Sequence, residues 1–228
     1  MHSPTPPALH RNAPLPANLD QLFSAVLSDA LDAVGVTTQA MSPSIRPLDE
    51  TLKMYGRART GIYMEMAYVD PVANPYELEI AIVDDLKPGD VLMLACGGSS
   101  RIAPWGGLLS TATHARGAAG CVTDGLVRDI LEIRSLRLPV FHGGIGPLDS
   151  KGRGQIQAID VPVMCGGVRV APGDLVFGDA DGVVVVPQAV EAQVLKAAFD
   201  KIHGEHHSMS ELRSGSYLRD VYAKYGVL

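Results

Sequence analysis

The sequence predicts an α/β fold, because apolar strand-like runs and helical segments alternate through its middle third. The apolar run at 91–95 is followed by a predicted helix at 106–116, a strand at 120–123 and a second helix that begins near Arg128. Crossover connections of this kind favour an α/β core. The later stretch at 154–187 is rich in Val, Gly and Pro and is typical of meandering β structure.

The start of the chain predicts a tail followed by a helix. Residues 1–17 are proline-rich and carry few side chains that could pack, so we expect a flexible or strap-like tail there. Residues 18–228 are then expected to form one domain around a single core. Apolar residues recur at spacings of three and four from Leu22 to Val34 and stop at Gly35. This pattern predicts an amphipathic helix that a glycine terminates.

The other predicted elements follow from apolar runs and turn residues. They are strands at 54–60 and 62–68, a short helix at 76–83, strands at 175–177 and 183–186, and a closing helix from Pro187 to about Leu212. A Pro-Gly-Asp turn precedes the strand at 91–95, and another precedes the strand at 175–177. Proline presets φ in such turns, and glycine tolerates positive φ.

Composition argues against nucleic-acid and membrane partners. The 19 Lys and Arg residues against 25 Asp and Glu give a formal net charge of −6, and no basic run could follow a phosphate backbone. The apolar stretches are too short to cross a bilayer, and residues 1–20 show no secretion signal. Cys96, Cys121 and Cys165 are widely spaced and form no CxxC pair, which favours reduced thiols. We therefore expect a soluble cytoplasmic protein.

The segment with the most chemical content begins at Gly106 and Gly107 and ends at Arg128 and Asp129. Adjacent glycines let a small ligand approach the backbone, and the helix they open offers unpaired N–H groups at its positive end. Arg128 supplies a planar fork that matches a carboxylate, and Asp129 supplies a hard oxygen ligand. Together they could hold a 2-oxo acid on Mg²⁺ or Mn²⁺. A simpler interpretation also fits, in which the pair is a helix cap and a surface charge.

The sequence resembles the RraA-like family over most of residues 19–228. The resembling blocks are DALDAVG at 29–35, WGGLLSTATHARGAAGCVTDGLVRD at 105–129, DVPV and CGG within 160–167, and PGDLV and DADGV within 172–183. The resemblance implies a three-layer β/β/α fold of the swivelling-domain kind, assembled as a trimer or hexamer with active sites between subunits. It also implies a divalent-metal-dependent carbon–carbon lyase for a small 2-oxo acid, similar to 4-hydroxy-4-methyl-2-oxoglutarate aldolase/oxaloacetate decarboxylase.

The resemblance implies a role for each candidate site residue. Asp129 would be the direct metal ligand, and Arg128 would bind the substrate carboxylate. Asp32 and Glu205 would reach the metal-bound waters from a neighbouring subunit. The pyruvyl end of the substrate would lie against the backbone of Gly106, Gly107, Leu108 and Leu109.

The chain departs from the family pattern at Gly107, where related aldolases carry an acidic residue. That carboxylate is expected to manage proton transfer through a metal-bound water, so aldol cleavage, decarboxylation and other enolate reactions remain alternatives here. A different function is that of the family's regulators, which associate with an RNA-degrading endonuclease and need no catalysis. Regulators typically lack an aspartate directly after the arginine, so Asp129 favours the enzyme.

Overall fold

The structure is a computed structural model that describes residues 13–68, 70 and 72–226, apart from the side chains of Glu205 and His206. Its strands are β1 (Arg46–Pro47), β2 (Met54–Glu65), β3 (Asp90–Ala95), β4 (Gly120–Val127), β5 (Val140–Ile145), β6 (Gly154–Ile159), β7 (Val163–Cys165), β8 (Val168–Val170), β9 (Leu175–Asp179) and β10 (Gly182–Val186). After a 3-10 turn at Leu19–Gln21, its helices are α1 (Ser24–Ala33), α2 (Glu77–Asp84), α3 (Gly107–Ala115), α4 (Ile130–Leu136), α5 (Glu191–Arg213) and α6 (Leu218–Tyr225).

The main sheet combines a parallel centre with antiparallel edges. Its strand order is β1-β5-β4-β3-β2-β9-β10, and β6 pairs with the second half of β2. The pairs β2–β3, β3–β4 and β4–β5 are parallel, and α3 and α4 form the crossovers on either side of β4. The strand–helix alternation predicted from the sequence therefore gives an α/β core, while β6 to β10 supply the predicted meander.

The parallel strands are buried on both faces, and this burial produces three layers. Along β3, Val91, Met93 and Ala95 face a core that includes residues of β7 and β8. The alternate residues Leu92 and Leu94 face a core that includes residues of α2 and α4. All five are 2% exposed or less, as expected for a parallel strand covered on both sides. The predicted β/β/α fold is thus confirmed, with the β7–β8 pair and the helices as the outer layers.

Arg57 on β2 ties the start of the described chain to the body of the protein. Its guanidinium donates to both carboxylate oxygens of Glu191 on α5, at 2.5 and 3.0 Å. It also donates to the backbone carbonyls of Ala13 at 3.1 Å and Pro14 at 2.7 Å. Most of the predicted tail at 1–17 lies outside the described residues, so its flexibility stays a prediction.

Three differences from the predicted elements concern β2, β5 and α6. The two strands predicted at 54–60 and 62–68 are one continuous strand, β2, whose pairing with β6 shifts register between Ile62 and Tyr63. Strand β5 was not predicted, because glycines at positions 143 and 144 interrupt its apolar pattern. Its backbone is kept extended by pairing with β4 on one side and β1 on the other. Helix α6 was also not predicted, and it packs mainly against α5.

Among the described residues, no helix combines the length and the apolar character that crossing a membrane requires.

We expect Glu191→Ala to lower the free energy of unfolding by about 3–5 kcal/mol, because it leaves the buried Arg57 guanidinium without its carboxylate partner. Urea denaturation followed by circular dichroism measures this loss. The matched control is Asp200→Ala, which removes an exposed ion pair with Lys196 on the same helix and should cost at most about 0.5 kcal/mol. Equal effects of the two substitutions would contradict the structural role of the Arg57–Glu191 pair.

Candidate active site

Six of the residues selected from the sequence line one cleft, beside the carboxyl end of β4 and the first turns of α3 and α4. Its volume is about 290 Å³. The cleft is lined by the predicted residues Gly106, Gly107, Leu108, Leu109, Arg128 and Asp129. The carboxyl ends of parallel strands are the usual position for ligand sites in α/β sheets.

Asp129 is held in an unusual backbone conformation that turns its side chain away from its own helix. Its φ is 57° and its ψ is 37°, in the left-handed region, which costs a non-glycine residue roughly 1–3 kcal/mol. The side chain makes no capping bond to α4. Its Oδ2 instead accepts a hydrogen bond at 3.0 Å from the N–H of Gly107, at the start of α3. The simple interpretation of Asp129 as a helix cap therefore does not describe its side chain.

The two glycines differ in what surrounds them. A Cβ on Gly106 would lie 2.7 Å from Oδ2 of Asp129 and 3.1 Å from Cγ of Arg128, closer than van der Waals contact allows. A Cβ on Gly107 would meet Cγ of Glu132 at 3.2 Å, and that side chain is flexible and exposed. Because Gly106 has no side chain, the side chains of Arg128 and Asp129 can occupy the space beside it.

Arg128 keeps hydrogen-bonding capacity for a ligand. Its backbone N–H donates to the carbonyl of Trp105 at 3.0 Å, which fixes the start of the loop. Its guanidinium lies 3.5 Å from Oδ1 of Asp149 and 3.9 Å from Oδ2 of Asp129. Both separations exceed those of good charge-assisted hydrogen bonds, which are about 2.7–2.9 Å. The half-exposed fork can therefore still pair with a substrate carboxylate.

The first turn of α3 offers a second attraction for an anion. Because the helix begins at Gly107, the N–H groups of Leu108 and Leu109 have no acceptor within the helix. The Leu108 side chain is 88% exposed, while Leu109 packs partly against the core on the helix side of the sheet. The positive end of the helix dipole therefore lies at the cleft, beside Arg128.

Tyr76 and Asp149 also line the cleft, although the sequence analysis did not select them. The Tyr76 hydroxyl donates to Oδ2 of Asp149 at 3.0 Å. Partial burial alone would raise the pKa of Asp149, but the hydrogen bond from Tyr76 and the nearby charge of Arg128 bring it below its ordinary value. Asp149 lies in a loop without a recognisable motif, so no local signal could have identified it.

Glu79 on α2 is the third residue that the sequence analysis missed. It lines the cleft, is only 5% exposed and accepts a hydrogen bond from the Tyr63 hydroxyl at 2.7 Å. Burial raises the pKa of Glu79 to about 7, against the opposing effect of the Tyr63 hydrogen bond. A signal was present, because Ile82 and Val83 follow at three- and four-residue spacing and place Glu79 on the buried face of the helix.

The other two predicted residues are Asp32 and Glu205. Asp32 is exposed on α1 and is not among the residues that line the cleft. Glu205 falls within α5, and its side chain lies outside the described part of the chain. Both were assigned to a site completed by a neighbouring subunit, so their roles stay predictions. Within the described part, no three His, Cys, Asp or Glu side chains are grouped as a metal cluster.

The chain matches one protein family over most of its length and is similar to several named proteins. Residues 24–185 match the RraA-like family, described as Aldolase/RraA. A protein of Halalkalibacterium halodurans, named as a candidate 4-hydroxy-4-methyl-2-oxoglutarate aldolase, is 38% identical over 77% of this chain and 77% of its own length. Protein DlpA of Legionella pneumophila is 30% identical over 98% of this chain, which corresponds to 36% of that longer protein.

A solved structure agrees with these sequence relatives. RraAS2 of Streptomyces coelicolor, described as an unusual member of the RNase ES inhibitor RraA protein family, is 31% identical with a TM-score of 0.75, over 87% of this chain and 98% of that one. The chain therefore belongs to the RraA-like family, which confirms the resemblance found in the sequence.

We expect Gly106→Ala to destabilise the protein by about 1–3 kcal/mol, because the new methyl group must displace Asp129 or Arg128. Gly107→Ala is the matched control. It should be neutral or stabilising by up to about 1 kcal/mol, since alanine suits a helix better than glycine and Glu132 can move. Urea denaturation of both variants checks the difference, and equal destabilisation would contradict the crowding described at Gly106.

Proposed function

We propose that the chain is a divalent-metal-dependent carbon–carbon lyase that cleaves a small 2-oxo acid by retro-aldol cleavage, decarboxylation or both. The observation that carries the proposal is the position of Asp129, which is held by Gly107 in the same cleft as Arg128 and the positive end of α3. The name of the Halalkalibacterium relative supports an aldolase.

The residues of the cleft fit Mg²⁺ or Mn²⁺. One oxygen of Asp129 is engaged by the Gly107 amide, and the side chain remains 53% exposed, so its other oxygen can bind a cation. Mg²⁺ usually keeps several waters and takes only one or two protein carboxylates, so a larger cluster is not needed. When bound, such an ion would stabilise the negative charge that develops on the substrate's 2-oxo oxygen.

The protein's own groups would bind and orient the substrate. Arg128 would pair with the 1-carboxylate through its two-pronged fork. The N–H groups of Leu108 and Leu109 would face the pyruvyl end, where the helix dipole favours negative charge. A volume of about 290 Å³ lies at the lower end of the range for ligand pockets, which suits a small acid.

The likeness to RraAS2 supports a second candidate, a regulator that acts by association with an RNA-degrading endonuclease. A regulator needs neither a metal nor a carboxylate site, so it gives no reason for the strained backbone at Asp129 or for the space kept open at Gly106. The lyase accounts for both features. We also propose the trimer or hexamer that the resemblance implies, with Asp32 and Glu205 contributed by a neighbouring subunit.

We expect lyase activity to require Mg²⁺ or Mn²⁺ and to disappear in excess EDTA. Asp129→Asn should lower turnover by about 10²-fold or more, because the amide can still accept the Gly107 hydrogen bond but loses the charge that binds the metal. Pyruvate release measures turnover, and calorimetric titration with Mn²⁺ measures metal binding independently. The control is Asp200→Asn, the same chemical change at an exposed aspartate of α5 outside the cleft lining, which should leave both unchanged. Full turnover in EDTA, or by Asp129→Asn, would refute the metal site.

We expect Arg128→Lys to lower kcat/KM by roughly 10–150-fold, because lysine keeps the charge but loses the two-pronged geometry, a difference of about 1.5–3 kcal/mol. Steady-state pyruvate release checks this value. Arg101→Lys, at an exposed arginine outside the cleft lining, serves as the control and should behave as the native protein does. Native kinetics in Arg128→Lys would show that the arginine does not bind substrate.

A further inference from the structure

Acidic and basic side chains are unevenly represented in the lining of the cleft. Of the described residues that line it, only Arg128 is a Lys or Arg, whereas Glu79, Asp129 and Asp149 carry carboxyl groups. In the proposed function, Arg128 and the cation held by Asp129 both act at the pyruvyl end of the substrate. No Lys or Arg of the described lining then remains to pair with a second carboxylate.

The part of the lining that the pyruvyl end does not use includes a wall that we call the distal wall. It consists of Tyr76, Glu79, Ile80, Asp149 and Ser150. These side chains are two carboxyl groups, two hydroxyls and a half-exposed isoleucine. Carboxylate and hydroxyl oxygens accept hydrogen bonds from hydroxyl groups, and isoleucine can contact C–H groups. The distal wall therefore matches a neutral chain that carries hydroxyls.

Asp149 is the group of the distal wall with the most capacity to recognise a hydroxyl. Its side chain is partly exposed, and its Oδ2 accepts the Tyr76 hydroxyl at 3.0 Å. The described contacts of its Oδ1 are long, at 3.4 Å from the Lys151 amide and 3.5 Å from the Ser150 hydroxyl and the Arg128 guanidinium. A good bond from a hydroxyl to a carboxylate measures about 2.5–2.7 Å. Oδ1 can therefore still accept a bond from a substrate hydroxyl.

The charge of Asp149 makes the distal wall unfavourable for an anion. Partial burial alone would raise the pKa of Asp149, but the hydrogen bond from Tyr76 and the nearby charge of Arg128 bring the pKa below its ordinary value. Asp149 is thus an anion at neutral pH, and it would repel a substrate carboxylate beside it. Asp32 and Glu205, which we propose a neighbouring subunit to contribute, would add further negative charge.

We propose that the substrate is a 4-hydroxy-2-oxo acid with a single carboxylate, that its chain beyond C4 is neutral and hydroxylated, and that Asp149 sets this specificity. The proposal rests on the proposed lyase function and names its substrate class. It selects retro-aldol cleavage over decarboxylation, because the carboxylate lost as CO₂ would have to lie at the distal wall. The Halalkalibacterium relative is named for a substrate with two carboxylates, and the two proteins would differ in this respect.

The reaction balances without any further reactant. The C3–C4 bond breaks and its electron pair passes to the pyruvate fragment, while C4 and its oxygen become the carbonyl group of an aldehyde. The 4-hydroxyl loses one proton and C3 gains one, so the number of protons is unchanged. The products are pyruvate and a neutral hydroxyaldehyde.

The first test compares three substrates that share a five-carbon chain and a 4-hydroxyl. They are 4,5-dihydroxy-2-oxopentanoate, 4-hydroxy-2-oxopentanoate and 4-hydroxy-2-oxoglutarate, whose chains end in a hydroxymethyl group, a methyl group and a carboxylate. Pyruvate release in the presence of Mg²⁺ gives kcat/KM for each. We expect the dihydroxy acid to be cleaved best and the dicarboxylate about 10–100-fold less efficiently, since like charges repel at short range in a partly desolvated cleft.

The second test changes the charge of the distal wall and little else. Asp149→Asn should raise kcat/KM for 4-hydroxy-2-oxoglutarate relative to the dihydroxy acid by about 10-fold or more, because the amide does not repel a carboxylate and can donate to it. The control is Asp200→Asn, at an exposed aspartate of α5 outside the cleft lining, which should keep the native ratio. A uniform loss of activity through misfolding would not change a ratio of two substrates, and circular dichroism checks the fold.

Binding of ligands that cannot be cleaved gives a readout without turnover. 2-Oxopentanoate and 2-oxoglutarate lack the 4-hydroxyl that retro-aldol cleavage requires, and they differ only at C5. Calorimetric titration in the presence of Mn²⁺ should show that the native protein binds 2-oxoglutarate more weakly than 2-oxopentanoate. Asp149→Asn should narrow this difference.

The outcomes separate the two proposals. The neutral substrate class is overturned, and the lyase stands, if the native protein prefers 4-hydroxy-2-oxoglutarate or decarboxylates oxaloacetate with a higher kcat/KM than it shows for the dihydroxy acid. An unchanged substrate ratio in Asp149→Asn would overturn the role of Asp149. If the native protein binds neither 2-oxo acid with Mn²⁺ and releases pyruvate from no substrate, the lyase itself fails, and the substrate class fails with it.

Discussion

The site depends on the hydrogen bond between the Gly107 amide and the carboxylate of Asp129. It joins the first turn of α3 to the loop between β4 and α4, and it forms only because Gly106 has no side chain in the way. A bond to a charged group contributes about 1.5–3 kcal/mol, which is enough to offset the roughly 1–3 kcal/mol cost of a left-handed aspartate. One local contact thus sets the positions of Asp129, Arg128 and the first turn of α3 relative to one another.

Elements with a strong local pattern, periodic or continuously apolar, were predictable from the sequence, whereas contacts between distant segments were not. A continuous apolar run after a Pro-Gly-Asp turn predicted β3, which is buried on both faces, and the Gly-Gly and Arg-Asp motifs identified residues that line the cleft. The bond from Tyr76 to Asp149 joins residues 73 positions apart, so no local pattern contains it. Strand β5 was missed for a related reason, since its neighbours in the sheet, and not its glycine-interrupted sequence, hold it extended.

Glu79 is a polar residue at a position where the pattern of its helix favours an apolar one. Its register on α2 matches that of Ile82 and Val83, where an apolar side chain would satisfy packing and avoid the cost of burying a carboxyl group. The Tyr63 hydroxyl reduces that cost but does not remove it. Positions at which local rules are broken without a packing gain are expected at functional sites, and a buried carboxyl group on an otherwise apolar helix face is such a position.

The pairing of β4 with β5 shifts register between Thr123 and Leu126, so that three steps along β4 match two steps along β5, from His142 to Gly144. The carboxylate of Asp124, inside the shift, accepts the backbone N–H of Cys96 at 2.5 Å. Because side chains alternate along a strand, losing one residue here would turn every later position of β4 to the opposite face. A one-residue insertion or deletion in β4 would therefore need a compensating one to keep the residues after it on their present faces.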